Sequence, residues 1–259
     1  MRPPSSAVAT PSSVGDRRVD ALDALRGLAM VWMTAFHASF DLAHQGLLRG
    51  QDFYQDPFWT LQRTAIVSLF LFCAGAGQGL ALAAQAGWAR FWSRWWRIAG
   101  CALLVSLGSA WMFPHSWISF GVLHGMALML VLVRLLVGVL RWPAAAVLTL
   151  ALVCVLLPLS WQHAWFDSRW TNWIGLVTHK PATEDYVPLL PWLGPMLLGS
   201  LAGRWLARAP RSAGRLVTLP RLMRGLVLLG RWPLSYYMLH QPVLIGLISV
   251  WAWLMGRAA

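Results

Sequence analysis

Residues 26–46 read RGLAMVWMTAFHASFDLAHQG, a stretch apolar enough to sit in a bilayer that still carries His37, Asp41 and His44. A helix of about 20 apolar residues covers the roughly 30 Å of a hydrocarbon core, and this stretch has that length. Comparable stretches recur at 62–84, 96–113, 118–139, 143–160, 188–207 and 233–255. Together they predict an all-α fold, a polytopic membrane helix bundle of about seven transmembrane helices. Residues 213–231, with LVTLPRLMRGLVLLG inside them, hold either a short eighth span or an interfacial helix.

Composition agrees with a membrane protein. The 259 residues are 58% hydrophobic and 12% charged, which excludes an ordinary soluble domain. Residues 1–18, rich in Pro, Ser and Ala, read as a disordered cytoplasmic tail, and 19–259 as a single transmembrane domain. No apolar run with a small-residue cleavage site precedes the first span, so that span is expected to be retained. The net charge of +12 would suggest nucleic acid in a soluble chain; here basic residues serve to hold loops on the cytoplasmic side, and no nucleic-acid partner is expected. With the N-terminus cytoplasmic, 16 basic residues fall on the inner side and 5 on the outer, namely Arg49, Arg63, Arg169, Lys180 and Arg257. That bias predicts N-in, C-out.

Several features have plain structural readings. Cys73, Cys101 and Cys154 lie in apolar segments without metal-type spacing. Most of the 18 tryptophans sit near span ends, as interfacial anchors do. Gly75-x3-Gly79 and Gly199-x3-Gly203 permit close helix packing. The GAGQG run that contains the first pair follows no strand, so it is not a phosphate loop. The long outer loop, 161–187, carries Trp165, Trp170, Trp173, His163, Asp167, His179, Glu184 and Asp185. Aromatic faces and carboxylates suit a sugar-like ligand, and suit an amphipathic interfacial loop equally.

The first span repays closer reading. Arg26 and His37 differ by only about 20° around a helix axis and by roughly 16 Å along it. Asp41 and His44 follow at spacings of four and three, on the same stripe. Ionisable residues inside a membrane face the bundle interior or a water-filled cavity. Three readings compete: polar groups satisfied by neighbouring helices, a metal site from His37, Asp41 and His44, and a catalytic path with His37 as general base. Histidine suits the last because small environmental shifts move its protonation across neutrality, and Asp41 lies one turn away, able to orient the ring. No second His/Cys cluster supports a metal, and none is expected. RFWSRWWRIAG places Arg90, Arg94 and Arg97 on one face of the third helix. With Arg26 they offer guanidinium forks to a polyphosphate, or simply form a positive-inside loop.

LDALRGLAMVWMTAFH closely resembles the first span of transmembrane acyltransferases. These include the acyltransferase-3 proteins and the heparan-alpha-glucosaminide N-acetyltransferase catalytic-domain family. Arg26 and His37 fit the acyltransferase-3 pattern of a basic residue, ten residues and a histidine, and Arg94-Trp95-Trp96-Arg97 matches its Arg-x-x-Arg signature. YVPLLPWLGPMLLG and GRWPLSYYMLHQPVL resemble the second family, and the likeness spans 20–255. The resemblance implies acetyl-CoA as cytoplasmic co-substrate, its phosphates held by the basic cluster. It implies a histidine at the position of His37 that promotes transfer to a carbohydrate or glycan acceptor on the far side. The chain departs from acyltransferase-3 proteins in having fewer spans.

Topology adds candidates. His44, Arg63, His124 and Asp185 fall at outer ends, where they could line the acceptor side; His240, in the inner third of the last span beside Gln241-Pro242, could face the CoA side. Structural packing or capping suits each of them as well. The preferred function is thus an acetyl-CoA-dependent acyltransferase in the bacterial inner membrane, surrounded by lipid, with a homodimer compatible with the sequence. The competing readings are a proton-coupled transporter of a small solute using the His37/Asp41 stripe and a partner subunit without chemistry. No internal repeat of the transporter kind is visible.

Overall fold

The computed structural model describes residues 19–209 and 221–255, with the backbone alone for Arg221 and Leu222. The predicted tail, 1–18, and the first part of segment 213–231 lie outside the described residues. The chain forms α1 (Asp20–His44), α2 (Pro57–Ala83), α3 (Trp88–Met112), α4 (Val122–Val133) with a π-helical continuation (Arg134–Val139), α5 (Ala144–Ser160), α6 (Leu189–Arg208), α7 (Arg221–Gly230) and α8 (Pro233–Leu254). Two 3-10 turns, Ala164–Asp167 and Asn172–Ile174, order the long loop between α5 and α6. There is no strand among the described residues.

Each of the seven predicted spans coincides with a helix. By length and composition, 3 are long and apolar enough to cross a membrane: Pro57–Ala83, Val122–Val139 and Pro233–Leu254. The rest fall short for visible reasons. α3 and α6 carry their charges near one end, α1 carries Asp20, Asp23 and Arg26 at its start and Asp41 near its finish, and α5 is apolar but 17 residues long. The ten residues of α7 extend about 15 Å, half a hydrocarbon core. α7 runs antiparallel to the start of α1. A β-carbon on Gly27 would collide with the Leu226 carbonyl, and one on Gly230 with the Asp23 carbonyl.

The scaffold is the α2–α6 pair. Gly75 faces the Met196 carbonyl and Gly79 that of Ser200; reciprocally, Gly199 faces Phe72 and Gly203 faces Ala76. Both helices therefore run the same way, and the two small-xxx-small motifs meet each other. Removing four side chains from the seam lets the backbones touch, which maximises dispersion contact where lipid offers no hydrophobic driving force. Around this pair, Met129, Val133, Met196 and Leu197 are fully buried. α3 packs antiparallel on α4: Trp95 Nε1 donates to the Ala127 carbonyl at 2.9 Å, and Ser106 Oγ lies 3.0 Å from His124 Nε2.

Loop residues finish the helix ends. Asp56 accepts from the Phe58 N–H at 2.8 Å, capping α2 with Pro57 next in sequence. Gly121 cannot cap α4 with a side chain, and Asp185 does so from the long α5–α6 loop, accepting from the Val122 N–H at 2.7 Å. That loop is tied down by Glu184 N–H to Ser116 O at 2.9 Å and Val187 N–H to Phe120 O at 3.2 Å.

Candidate active site

Of the predicted α1 stripe, His37 and Asp41 face α8, while Arg26 turns to α2 and His44 is exposed. Four cross-links join α1 and α8 in parallel register. Thr34 Oγ1 and Tyr236 Oη are 2.5 Å apart. The rings of His37 and His240 lie 5.3 Å apart at 63°. Gln241 Nε2 donates to both oxygens of Asp41 at 3.1 Å, and Gln45 Nε2 donates to Ser249 Oγ at 3.3 Å.

His240 is the better fixed of the two histidines. Its ring stacks on Tyr236 at 5.9 Å and 5°, and packs against Tyr237 at 5.7 Å. Its Nδ1 lies 2.7 Å from the Tyr237 carbonyl. A carbonyl only accepts, so Nδ1 carries the proton and, in the neutral ring, Nε2 keeps the lone pair. That Nε2 is buried and has no hydrogen-bond partner among the described residues. Buried polar atoms are nearly always satisfied; an unsatisfied lone pair beside a second imidazole is suited to accept a proton from a bound molecule.

The other predicted residues divide into three groups. Asp41 is buried and held by Gln241, while His44 is exposed and stacks on Phe40 at 6.3 Å. So His37 is partnered by His240 and Asp41 by Gln241, with His44 in electrostatic range of Asp41. Arg63, His124 and Asp185 gather where α2 and α4 begin. Arg63 and Lys180 are in electrostatic range of Asp185, as is Tyr237, which thereby links this cluster to the histidine pair. His124 Nδ1 accepts from the Gly121 N–H at 3.3 Å. Burial pushes the Asp185 carboxyl above the usual carboxylate range, against the pull of the Val122 N–H and Lys180. Burial, and then Arg63, holds Lys180 below its ordinary value.

The basic residues do not form one cluster. Arg26 lies between α1 and α2, where it pairs with Asp23 at 2.9 Å and donates to the Cys73 carbonyl at 3.2 Å. Arg90, Arg94 and Arg97 are exposed on α3, which packs on α4. His240 sits with His37, away from those arginines. Sequence reasoning passed over Thr34, Tyr236, Tyr237 and Gln241. The available signal was their spacing from His240, which puts Tyr236 and Tyr237 one turn before it in SYYMLHQ.

The family model described as heparan-alpha-glucosaminide N-acetyltransferase, catalytic, matches residues 18–242. This chain belongs to that family. The match contains α1 through the histidine of α8, so both imidazoles fall within it. Membership of the heparan-alpha-glucosaminide N-acetyltransferase catalytic family makes the chain an acyltransferase-type enzyme, and its apolar helices make it an integral membrane protein. No curated protein and no solved structure matches the chain.

Proposed function

We propose that this enzyme moves an acetyl group from cytoplasmic acetyl-CoA to a carbohydrate, an amino sugar or a sugar hydroxyl, on the far side of the bacterial cytoplasmic membrane. The observation that carries the reading is the His37–His240 pair, with its free Nε2, buried in a chain of this family. In the proposed topology the N-terminus is cytoplasmic, seven helices span, and α7 stays at the inner side. Arg26 then lies on the donor side of His37, and Arg63, Lys180, Asp185 and His124 on the acceptor side. The exposed Arg90, Arg94 and Arg97 meet the donor's phosphates at the inner surface.

In the reaction the acetyl–sulfur bond of the donor breaks and an acetyl–nitrogen or acetyl–oxygen bond forms. The acceptor's proton passes to the histidine pair and from there to the CoA thiolate. Asp41 sets the pair's surroundings through Gln241. Family membership lends no support to the transporter alternative. The test is CoA release by purified protein in nanodiscs, given acetyl-CoA and a panel of amino sugars and glycans. Acceptor-dependent release that is lost in His37→Ala is expected; proton-coupled uptake of a solute without CoA release would sink the reading.

A further inference from the structure

The inner ends of α2, α4 and α6 hold buried hydrogen-bond donors with nothing among the described residues to receive them. Arg134 is 5% exposed and Gln78 is 8% exposed. Arg134 NH1, Gln78 Nε2 and Arg204 NH1 are buried and have no hydrogen-bond partner among the described residues. Arg134 is otherwise well held: its NH2 donates to the Ala86 carbonyl at 2.5 Å, and its guanidinium covers Trp88 and Phe91 at 4.8 and 5.4 Å. None of these contacts supplies negative charge.

The three groups sit at one level. α2 and α4 run the same way: Arg63, early in α2, is in electrostatic range of Asp185, which caps the start of α4, and the far ends also meet. There a β-carbon on Gly138 would sit 2.7 Å from Leu82 and 3.9 Å from Cδ of Arg134. Four residues earlier on each helix stand Gln78 and Arg134, one helical turn on the same faces. On the third helix, the backbone nitrogen of Arg204 would lie 3.1 Å from a β-carbon on Gly79, the neighbour of Gln78. A π-helical turn begins at Arg134 itself, the kind of irregularity that concentrates at functional positions.

Charge decides what belongs there. α2, α4 with its π turn, and α6 contain no Asp or Glu, and neither does the sequence between Ala209 and Arg221. A buried guanidinium without a counter-charge is costly, and nature accepts the cost at places that bind. Arg26, one helix away, shows the ordinary solution, an aspartate one turn back. A planar fork beside a carboxamide N–H matches the oxygens of a phosphoryl group. We propose that Arg134, Gln78 and Arg204 form a buried site for a phosphate-type oxyanion at the inner end of the bundle. Its use by the acetyl donor, whose phosphates enter from that side, rests on the function proposed above.

The test compares wild type with Arg134→Leu and Gln78→Leu in zwitterionic nanodiscs. CoA, dephospho-CoA and inorganic pyrophosphate are the probes, with thermal unfolding and equilibrium binding as readouts. A second set of discs contains phosphatidylglycerol. Wild type should gain Tm with a phosphate-bearing probe, and Arg134→Leu should bind that probe at least tenfold more weakly and lose the gain. Gln78→Leu removes an unpartnered Nε2; it carries the same test should Arg134→Leu fail to fold. Response to pyrophosphate or to phosphatidylglycerol, but not to CoA, would keep the site and remove the donor from it. Acceptor-dependent CoA release with probe affinity unchanged in both variants would overturn the site and leave the enzyme standing. Absence of any phosphate-dependent response in wild type would overturn it too.

Discussion

Two parallel helix pairs organise this protein, and they are built on opposite chemistry. The α2–α6 seam contains glycine against carbonyl, with no side chain needed to hold it. The α1–α8 seam contains hydroxyl, imidazole, carboxylate and carboxamide, one polar pair per level. α8 is otherwise lightly packed: Leu239, Val243, Leu247 and Val250 are all exposed. Tight backbone contact gives rigidity and leaves no room for a ligand between the glycine motifs themselves, so a ligand on these helices sits beside the seam, at the side chains of Gln78, Arg134 and Arg204. A polar seam gives up packing and keeps unsatisfied atoms, which is what a site requires. The difference teaches that the first pair is the frame and the second the working surface.

The comparison breaks most severely at the histidines. His37→Ala should lower turnover by at least ~10³-fold, the scale of a lost acid–base group combined with lost positioning. His240→Ala should fall in the same range, because its Nε2 is the free lone pair. Neither should abolish folding, since the Thr34–Tyr236 and Asp41–Gln241 pairs still join α1 to α8. A loss of activity matched by a loss of folded protein would place them in the frame instead. Next comes the frame itself. Gly79→Val forces a branched side chain onto the Ser200 carbonyl and should cost about 3 kcal/mol or more. Gly225→Ala, where a β-carbon meets nothing within 4 Å, should be neutral or better. Thermal unfolding in detergent separates the two.

How far the sequence alone reaches differs between the two seams in the same way. Hydropathy located all seven long helices, because length and apolar content are local properties. The glycine motifs were visible singly, and their mutual pairing was a matter of tertiary register. The stripe from Arg26 to His44 was visible from helical periodicity, but not which helix it faced. His240 was assigned to the donor side from its depth in the last span; only the parallel α1–α8 register brings it to His37. The division of the arginines was also hidden. Arg26 and the α3 trio share a sign and, in the predicted topology, a side of the membrane, and helix order does not reveal that α3 packs on α4. Arg134 was counted as one more cytoplasmic charge, since burial leaves no mark on sequence.

A milder change sharpens the polar seam. Gln241→Leu removes the amide that donates to both Asp41 oxygens and leaves the buried carboxylate without it. Losing a partner of a buried charged group costs about 1–3 kcal/mol, so the α1–α8 register loosens. Turnover should drop about tenfold, and Gln241→Asn should recover less than half of it because the shorter amide falls short. Asp41→Asn in the Gln241→Leu background should restore stability, since the carboxamide removes the stranded charge. Failure of that rescue would mean that Asp41 acts in catalysis rather than in positioning.

The smallest effect lies in the loop between α5 and α6, away from both seams. Asp167 accepts from Thr178 twice, from N–H at 2.8 Å and from Oγ1 at 2.7 Å, and lies 3.6 Å from His179. The two Thr178 bonds, then His179, hold its carboxyl below the usual carboxylate range. A depressed carboxylate stabilises the fold fully above its unfolded value, and the contribution is lost as pH falls through the folded value. Thr178→Val deletes the hydroxyl bond and lets the carboxyl rise toward its ordinary range. Acid opening of the loop, followed by fluorescence of the exposed Trp165 and Trp170, should therefore begin at higher pH in Thr178→Val than in wild type. His179→Ala should shift it less, since His179 contributes less than either Thr178 bond. The histidine pair lies on other helices, so activity at neutral pH should be untouched. A Thr178→Val enzyme that loses turnover at neutral pH would show that the loop's shape reaches the working seam.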